Sequence, residues 1–229
     1  MKTSRTTRIT GLFGLIGAIL LFIEIPLWII PGEAPAIQNA AVHAEFLANS
    51  RVIALSRILI DMLMYMSLMV FFAGFRNVII QKNKEYEWIA TLTLAAGAVW
   101  WAVSLVADGL EGAAILDTLQ GNSNPTIVRA MVEATLLIYN GSIAFAVTAL
   151  FMGPAAYAIL KTNALPRWLG WLAWVSFVLC ILSIPAMYGD SIDTKGFYNA
   201  AGWGPTIVAN IPPLIWFIGA SLAMMKIKD

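Results

Sequence analysis

One histidine, His43, and one cysteine, Cys180, are all that 229 residues offer of the commonest metal-ligating side chains outside the carboxylates. A single thiol closes no intrachain disulfide and makes no cysteine-based metal motif. A single imidazole excludes, within one chain, the zinc sites that need two or three. No histidine lies inside an apolar segment, which argues against a haem held between two helix-borne histidines. Intramembrane hydrolases and diiron oxygenases built on several histidines fall on the same count. A rhodopsin-type pigment falls for want of a seventh helix and of a lysine within the sixth. Charge is scarce too: charged residues make up 12% of the chain, against about 25% in soluble domains. The net charge of +1 comes with no basic run, so nucleic acid is not an expected partner. No cofactor is predicted, and the residues do not say whether a metal binds.

What fills the chain instead is apolar. Hydrophobic residues are 60% of it and the mean hydropathy is +0.79. They come in blocks, several of them reaching the roughly 20 residues that cross a hydrocarbon core of about 30 Å. Backbone groups cannot go unpaired in lipid, so each block is expected to be a helix; the short alternating segments of a β-barrel are absent. Six segments are read, at about 11–30, 52–75, 88–116, 127–160, 168–187 and 204–225. The fold expected is all-α, one transmembrane domain over 1–229, a bundle of six helices in a lipid bilayer.

Orientation follows from lysine and arginine. With the N-terminus inside, Lys2, Arg5, Arg8, Arg76, Lys82, Lys84, Lys161, Arg167, Lys226 and Lys228 are cytoplasmic, ten of the fourteen basic residues. That asymmetry predicts both termini in the cytoplasm. The start mimics a signal peptide, with Ala34-Pro35-Ala36 as a formal cleavage site. Its apolar stretch is too long, however, and is interrupted by Glu24, so an uncleaved first helix is expected. Between the first two helices, 31–51 reads as a loop with room for a short interfacial helix. His43, near Glu45, is expected to be solvated there. Gly121-Asn122-Ser123-Asn124-Pro125 reads as a turn, and 189–201, with Asp190, Asp193 and Lys195, as an outer loop. No internal repeat supports an inverted-repeat transporter.

Three stretches carry a family likeness: Thr7-Arg8-Ile9-Thr10-Gly11-Leu12, Arg57-Ile58-Leu59-Ile60-Asp61 and Leu165-Pro166-Arg167-Trp168-Leu169-Gly170-Trp171. With the six-helix spacing they resemble the bacterial domain-of-unknown-function 4386 family over most of the chain. The segment with Trp100-Trp101 and Asp108-Gly109-Leu110-Glu111-Gly112 departs from that pattern. The resemblance implies a bacterial inner-membrane protein of undefined activity and supplies no catalytic residues.

The informative residues are charges placed where charges are costly, at least about 2.5–3.5 kcal/mol each near the bilayer centre. They are Glu24, Arg57, Asp61, Asp108, Glu111, Arg129 and Glu133. All fall in the outer half of their segments, Asp61 being about 13 Å in from Val52. Arg57 and Asp61 share a helix face, as do Arg129 and Glu133, four apart; Asp108 and Glu111 are three apart. Trp101 and Ser104 continue the Asp108 face inward, and Asn140 continues that of Glu133. In the last segment Asn210 precedes Pro212-Pro213, where a kink is expected, walling the same space or satisfied locally by Asn210. Most tryptophans, Trp28 among them, fit an interfacial belt, while Trp100, Trp101 and Trp216 lie deeper, lining a cavity or facing lipid. Gly11, Gly14, Gly17, Gly97 and Gly141 allow close helix approach.

Two readings of the charges stand. In one they are structural pairs and headgroup-level residues. In the other they converge on an outward-facing cavity lined by carboxylates and arginines, which would bind or transport a small polar or cationic ligand, or protons. An accessory subunit packed against a membrane-protein partner, or against copies of itself, is the alternative function. Catalysis comes third, since no nucleophile–base pair is legible.

Overall fold

The computed structural model describes residues 2–119, 123–189, 192 and 195–227, with side chains for all of these but 2–4 and 209. Of the expected loop residues, Gly121, Asn122, Asp190 and Asp193 lie outside the described set, as does Lys228. Among the described residues seven α-helices follow one another: α1 (Lys2–Ile29), α2 (Ala40–Lys82), α3 (Glu87–Thr118), α4 (Pro125–Tyr139), α5 (Ser142–Thr162), α6 (Arg167–Ser183) and α7 (Trp203–Lys226). Short 3-10 turns precede α3 and follow α6. No strand occurs among the described residues. Six stretches are long and apolar enough to cross a membrane, α4 and α5 together forming the fourth. The protein is therefore a multi-pass, all-helical membrane protein. Six crossings place the α1–α2, α3–α4 and α6–α7 connections on one face, here called the far face, opposite the termini.

Helix ends follow local chemistry. Asn124 accepts from the Thr126 amide at 3.0 Å and Pro125 takes the first helical position of α4, where its missing N–H costs nothing. Asn163 closes α5 in the left-handed conformation at φ 51°, which asparagine tolerates.

Two elements differ from expectation. Residues 40–51 are not a loop but the first three turns of α2, a helix of 43 residues, about 64 Å long. They are held as helix by a second, smaller core. Ile37, Ala44, Leu47, Ala54 and Ile58 pack there on Ala114 and Ile115 of α3 and Val128 and Val132 of α4. His43 is correspondingly buried, 6% exposed, with Nδ1 3.1 Å from the Pro35 carbonyl. The fourth span, expected as one helix over 127–160, is broken at Asn140-Gly141. Gly141 is extended there, and a Cβ on it would lie 2.8 Å from the Leu137 Cα and carbonyl oxygen. Gly141 thus serves the break rather than helix–helix approach.

The main core lies toward the termini. Phe71, Phe72 and Phe75 of α2 meet Phe151 of α5 and Trp216 and Phe217 of α7. The rings pack edge to face, with centroids 5.4–5.7 Å apart for Phe71–Trp216, Phe72–Phe151 and Phe72–Phe217, the favoured aromatic geometry. Trp216 is fully buried in this cluster and faces neither lipid nor a cavity. The outer surface of α1 (Ile9, Leu12, Ile16, Ile19, Phe22, Ile23) is exposed apolar side chain, as contact with lipid requires.

Small residues let the helices close. A Cβ at Gly14 would collide with the Phe71 ring and Ser221 Oγ, and one at Gly74 would collide with the Thr10 side chain. Neither neighbour is a flexible tip, so each glycine fixes the approach of α1 to α2 or α7. Gly74→Leu is expected to destabilise the protein by about 1–3 kcal/mol through overpacking, read as a lower unfolding midpoint in a mild detergent. Gly109→Leu, with nothing within 4 Å of the added carbon, should leave it unchanged.

Candidate functional site

The candidate site begins with the face that α2 turns toward its neighbours. Arg57, Asp61 and Tyr65 recur every four residues, so they stack on one side of the helix, and all three are buried at 5%, 3% and 2% exposure. α1 brings Glu24 and Trp28 to this face, again four apart. α3 brings Ser104, Asp108 and Glu111, and α4 ends against it at Tyr139. The polar groups form a ladder that descends from the far face about one helical turn at a time.

The top rung holds the one buried guanidinium described. Arg57 Nη2 donates to Glu111 Oε1, and its Nε lies 3.9 Å from Glu24 Oε1. Its guanidinium carbon sits 3.5 Å from the centre of the Trp28 ring, a cation–π contact. Trp28 in turn donates its Nε1–H to Glu24 Oε1 at 2.6 Å. Arg57 thus lies against two carboxylates and a tryptophan supplied by two other helices. The expected partner on its own helix, Asp61, is not within ion-pair distance. Arginine's long side chain reaches across the α1–α2 and α2–α3 interfaces, and the two glutamates placed there offer charge-assisted geometry that a same-helix neighbour does not.

The middle rung is acidic. Asp61 and Glu24 are both buried at this level. Asp108 Oδ1 accepts from the Tyr139 hydroxyl at 2.5 Å, while its Oδ2 is buried without a partner, as is Glu111 Oε2. The lowest rung is phenolic: the Tyr65 hydroxyl lies 3.4 Å from that of Tyr139, which also approaches the Ser104 carbonyl at 3.1 Å.

Beside this ladder lies a partly open cavity of about 340 Å³, bounded by α1, α2, α3, the α4–α5 break and α7. Its polar wall carries Glu24, Asp61, Ser104, Tyr139, Asn140 and Thr206. The deeper, termini-side part of the lining is apolar, with Leu68, Trp100, Phe151, Leu214 and Phe217 among its members. The exposed members of the lining include Ile25 and Trp28 on α1, at 44% and 42%, and Asn210 on α7. The mouth therefore lies between the far-face halves of α1 and α7. Their termini-side halves are closed by Gly11 and Gly14 against Ser221.

The break in the fourth span also faces this space. Helix α4 stops at Tyr139, so its last carbonyls lack intrahelical donors, and the negative end of its dipole lies at the cavity wall. Thr206 donates to the Gly202 carbonyl at 2.8 Å and approaches that of Asn140 at 3.3 Å. Asn210 donates Nδ2–H to the Thr206 carbonyl at 2.8 Å. It satisfies its own helix, and α7 runs as one helix through Pro212 and Pro213.

Of the residues predicted from the sequence, Glu24, Asp61, Ser104, Asn140 and Asn210 line the cavity. Arg57, Asp108 and Glu111 stand behind that wall in direct contact with one another or with a lining residue. Arg129 and Glu133 do not join them. They pair on α4 at 2.8 Å, with side chains 38% and 29% exposed, because the buried face of α4 carries Val128, Val132 and Thr135. Trp101 is not in the lining and its Nε1 is buried without a partner; Trp100 lines the cavity in its place. Trp28, Tyr65 and Tyr139 were not singled out from the sequence. The signal available was spacing: Trp28 is four past Glu24 and Tyr65 four past Asp61. Outside the membrane-spanning region, Glu33 pairs with Lys195 across two far-face loops. That ammonium holds the Glu33 carboxyl below its ordinary pKa.

Compared with known proteins, the chain matches no family model, no curated protein and no solved structure.

Breaking a buried ion pair from one side leaves an uncompensated charge. Arg57→Met is expected to cost about 3–5 kcal/mol, and Arg129→Met, on a half-exposed pair, about 1 kcal/mol or less. Unfolding midpoints of the two purified variants in the same detergent check the order. Equal midpoints would contradict the burial argument.

Proposed function

We propose that the protein binds or transports a small cationic or polar ligand, or protons, in the cavity between α1, α2, α3, the α4–α5 break and α7. One observation carries the reading. Glu24 and Asp61 both line an accessible cavity, while the nearest guanidinium, Arg57, is hydrogen-bonded to Glu111, stacked on Trp28 and 3.9 Å from Glu24. Around the ladder stand the carboxyls of Glu24, Asp61, Asp108 and Glu111 against the single guanidinium of Arg57. A low-dielectric surround does not tolerate that imbalance, so positive charge has to be recruited as a ligand or as protons. The sequence-based balance counted Glu133 and Arg129 as well; their local pairing removes one charge of each sign and leaves the acidic excess intact.

Transport is favoured over simple binding by the broken fourth span. Irregular backbone within a membrane is tolerated where it lines a cavity, and discontinuous helices of this kind form ion and substrate sites. The lysine and arginine asymmetry supports both termini in the cytoplasm and a mouth toward the outside. The likeness to the bacterial domain-of-unknown-function 4386 family supports an inner membrane.

The test is stabilisation. Purified wild-type protein is expected to unfold at a temperature that shifts with pH or with added small cations, and Asp61→Asn should abolish most of that shift. An unfolding midpoint that no cation and no pH between 5 and 9, about two units either side of neutrality, can move in the wild type would refute the reading.

A further inference from the structure

The cavity's two ends differ in a way that narrows the ligand. A bare metal ion is held by several hard or soft donors converging at about 2–2.6 Å. Among the described residues no group of three histidine, cysteine, aspartate or glutamate side chains is placed to do this. Nor does a bare ion fill about 340 Å³. What the cavity does offer is a carboxyl pair, Glu24 and Asp61, toward the far face and aromatic rings one to two helical turns deeper. Trp100, Phe151 and Phe217 are clustered there, with centroids 5.7–6.2 Å apart.

The protein already displays the same chemistry next door. Arg57 is an organic cation held between carboxylates and the face of Trp28. The cavity repeats that arrangement with no side-chain cation in it. Asp61 is the decisive group: it is 3% exposed, lines the cavity and forms no ion pair. Glu24 lines the same cavity, and two carboxyls confined together in a low-dielectric site do not both ionise, so one of them carries a proton.

Resting on the reading above, we propose that the ligand is an organic ammonium ion with an apolar body. Its N–H or N–CH₃ groups face Glu24 and Asp61, its body lies against Trp100 and Phe217, and it displaces the proton shared by the two carboxyls. The exchange balances in charge. One cation enters, one proton leaves to water, and the carboxyl pair with its occupant carries one net negative charge before and after, facing Arg57 through Glu24. The titratable or charged groups facing the pair are Arg57 and Tyr65 on α2, Asp108 and Glu111 on α3 and Tyr139 on α4. Of the described side chains lining the cavity from α5 and α7, none is ionisable. Arg57 is shared between Glu111 and Glu24, so its single charge leaves that of Asp61 unmatched. Cation–π attraction to the aromatic wall distinguishes this ligand from a hydrated metal ion of equal charge. The mouth between α1 and α7 is lined by Ile25 and Trp28 as well as Asn210, which suits an amphipathic cation.

The test is titration calorimetry of full-length protein in dodecyl maltoside, at neutral pH, in phosphate and in HEPES. The probes are n-butylammonium, tetramethylammonium, sodium, calcium and neutral n-butanol. Binding is expected for the two ammonium ions, with an enthalpy that differs between buffers as release of about one proton requires. Butanol is expected not to bind. Asp61→Asn should abolish proton release. Trp100→Leu should weaken binding about fivefold, the scale of a single cation–π contact, without changing proton release. Repeating the titration in nanodiscs containing phosphatidylethanolamine distinguishes the ligand's source. Competition would mean that a lipid headgroup supplies the ammonium, and its absence a soluble amine; both outcomes keep the class. Binding of sodium or calcium but of neither ammonium ion would overturn this inference and leave the cation site standing. Binding of ammonium without proton release would overturn the exchange. Binding of no cation, with no pH-dependent stability, would sink both readings.

Discussion

A guanidinium buried among helices that face lipid sets the terms for the far-face half of this protein. Arg57 cannot be left unpaired in a low-dielectric interior, and the partners that satisfy it come from α1 and α3 rather than from its own helix. Glu24, Glu111 and Trp28 therefore bind three spans together at one level. Such a pair adds little net stability once desolvation is counted, yet its rupture is expensive. Its value is in specifying which helices meet and at what height. With Arg57 shared between Glu111 and Glu24, the carboxyl of Asp61 is left unmatched at the cavity wall.

The two halves of the bundle are built by different means. Toward the termini, glycines on α1 and α2 and a block of interlocked aromatic rings give tight apolar packing. Toward the far face, α2 and α3 extend well past the length of a simple span and α4 packs across them to form a separate small core. The cavity lies at the seam, where the fourth span breaks and α1 parts from α7. A seam between a rigid block and a smaller one is where ligand sites are commonly found in helical bundles, since neither core's packing has to be breached to make room. Gly141 is central to this: its backbone approaches Leu137 so closely that a side chain has no place.

The carboxyls and phenols are arranged as a chain of acceptors and donors, from Tyr65 through Tyr139 to Asp108. Chains of this kind hold or pass protons. Joined to an acidic cavity that also carries aromatic rings, they support the proposal that positive charge is taken up where the four carboxyls are buried together.

Much of the fold was legible in the residues alone. Six apolar blocks longer than a bilayer's width can only be helices in lipid, because no other structure pairs the backbone there. The costliness of charge also picked out Glu24, Arg57, Asp61, Asp108 and Glu111 before any coordinates. Spacing along one helix could not say which charges meet, however, because the partner of Arg57 is decided by the rotation and height of two other helices. The same ignorance placed Arg129 and Glu133 in the site, whereas the packing of Val128 and Val132 turns them away. It also chose Trp101 over its neighbour Trp100, a difference of about 100° around the helix. The break at Asn140-Gly141, where Thr206 of α7 approaches the Asn140 carbonyl, and the helical course of 40–51, packed on α3 and α4, go with contacts between distant segments. Composition and periodicity determined that this chain crosses a membrane and where its costly residues lie. Only tertiary structure decided which of them share a wall, because side-chain convergence depends on helix orientation, a quantity no single helix encodes.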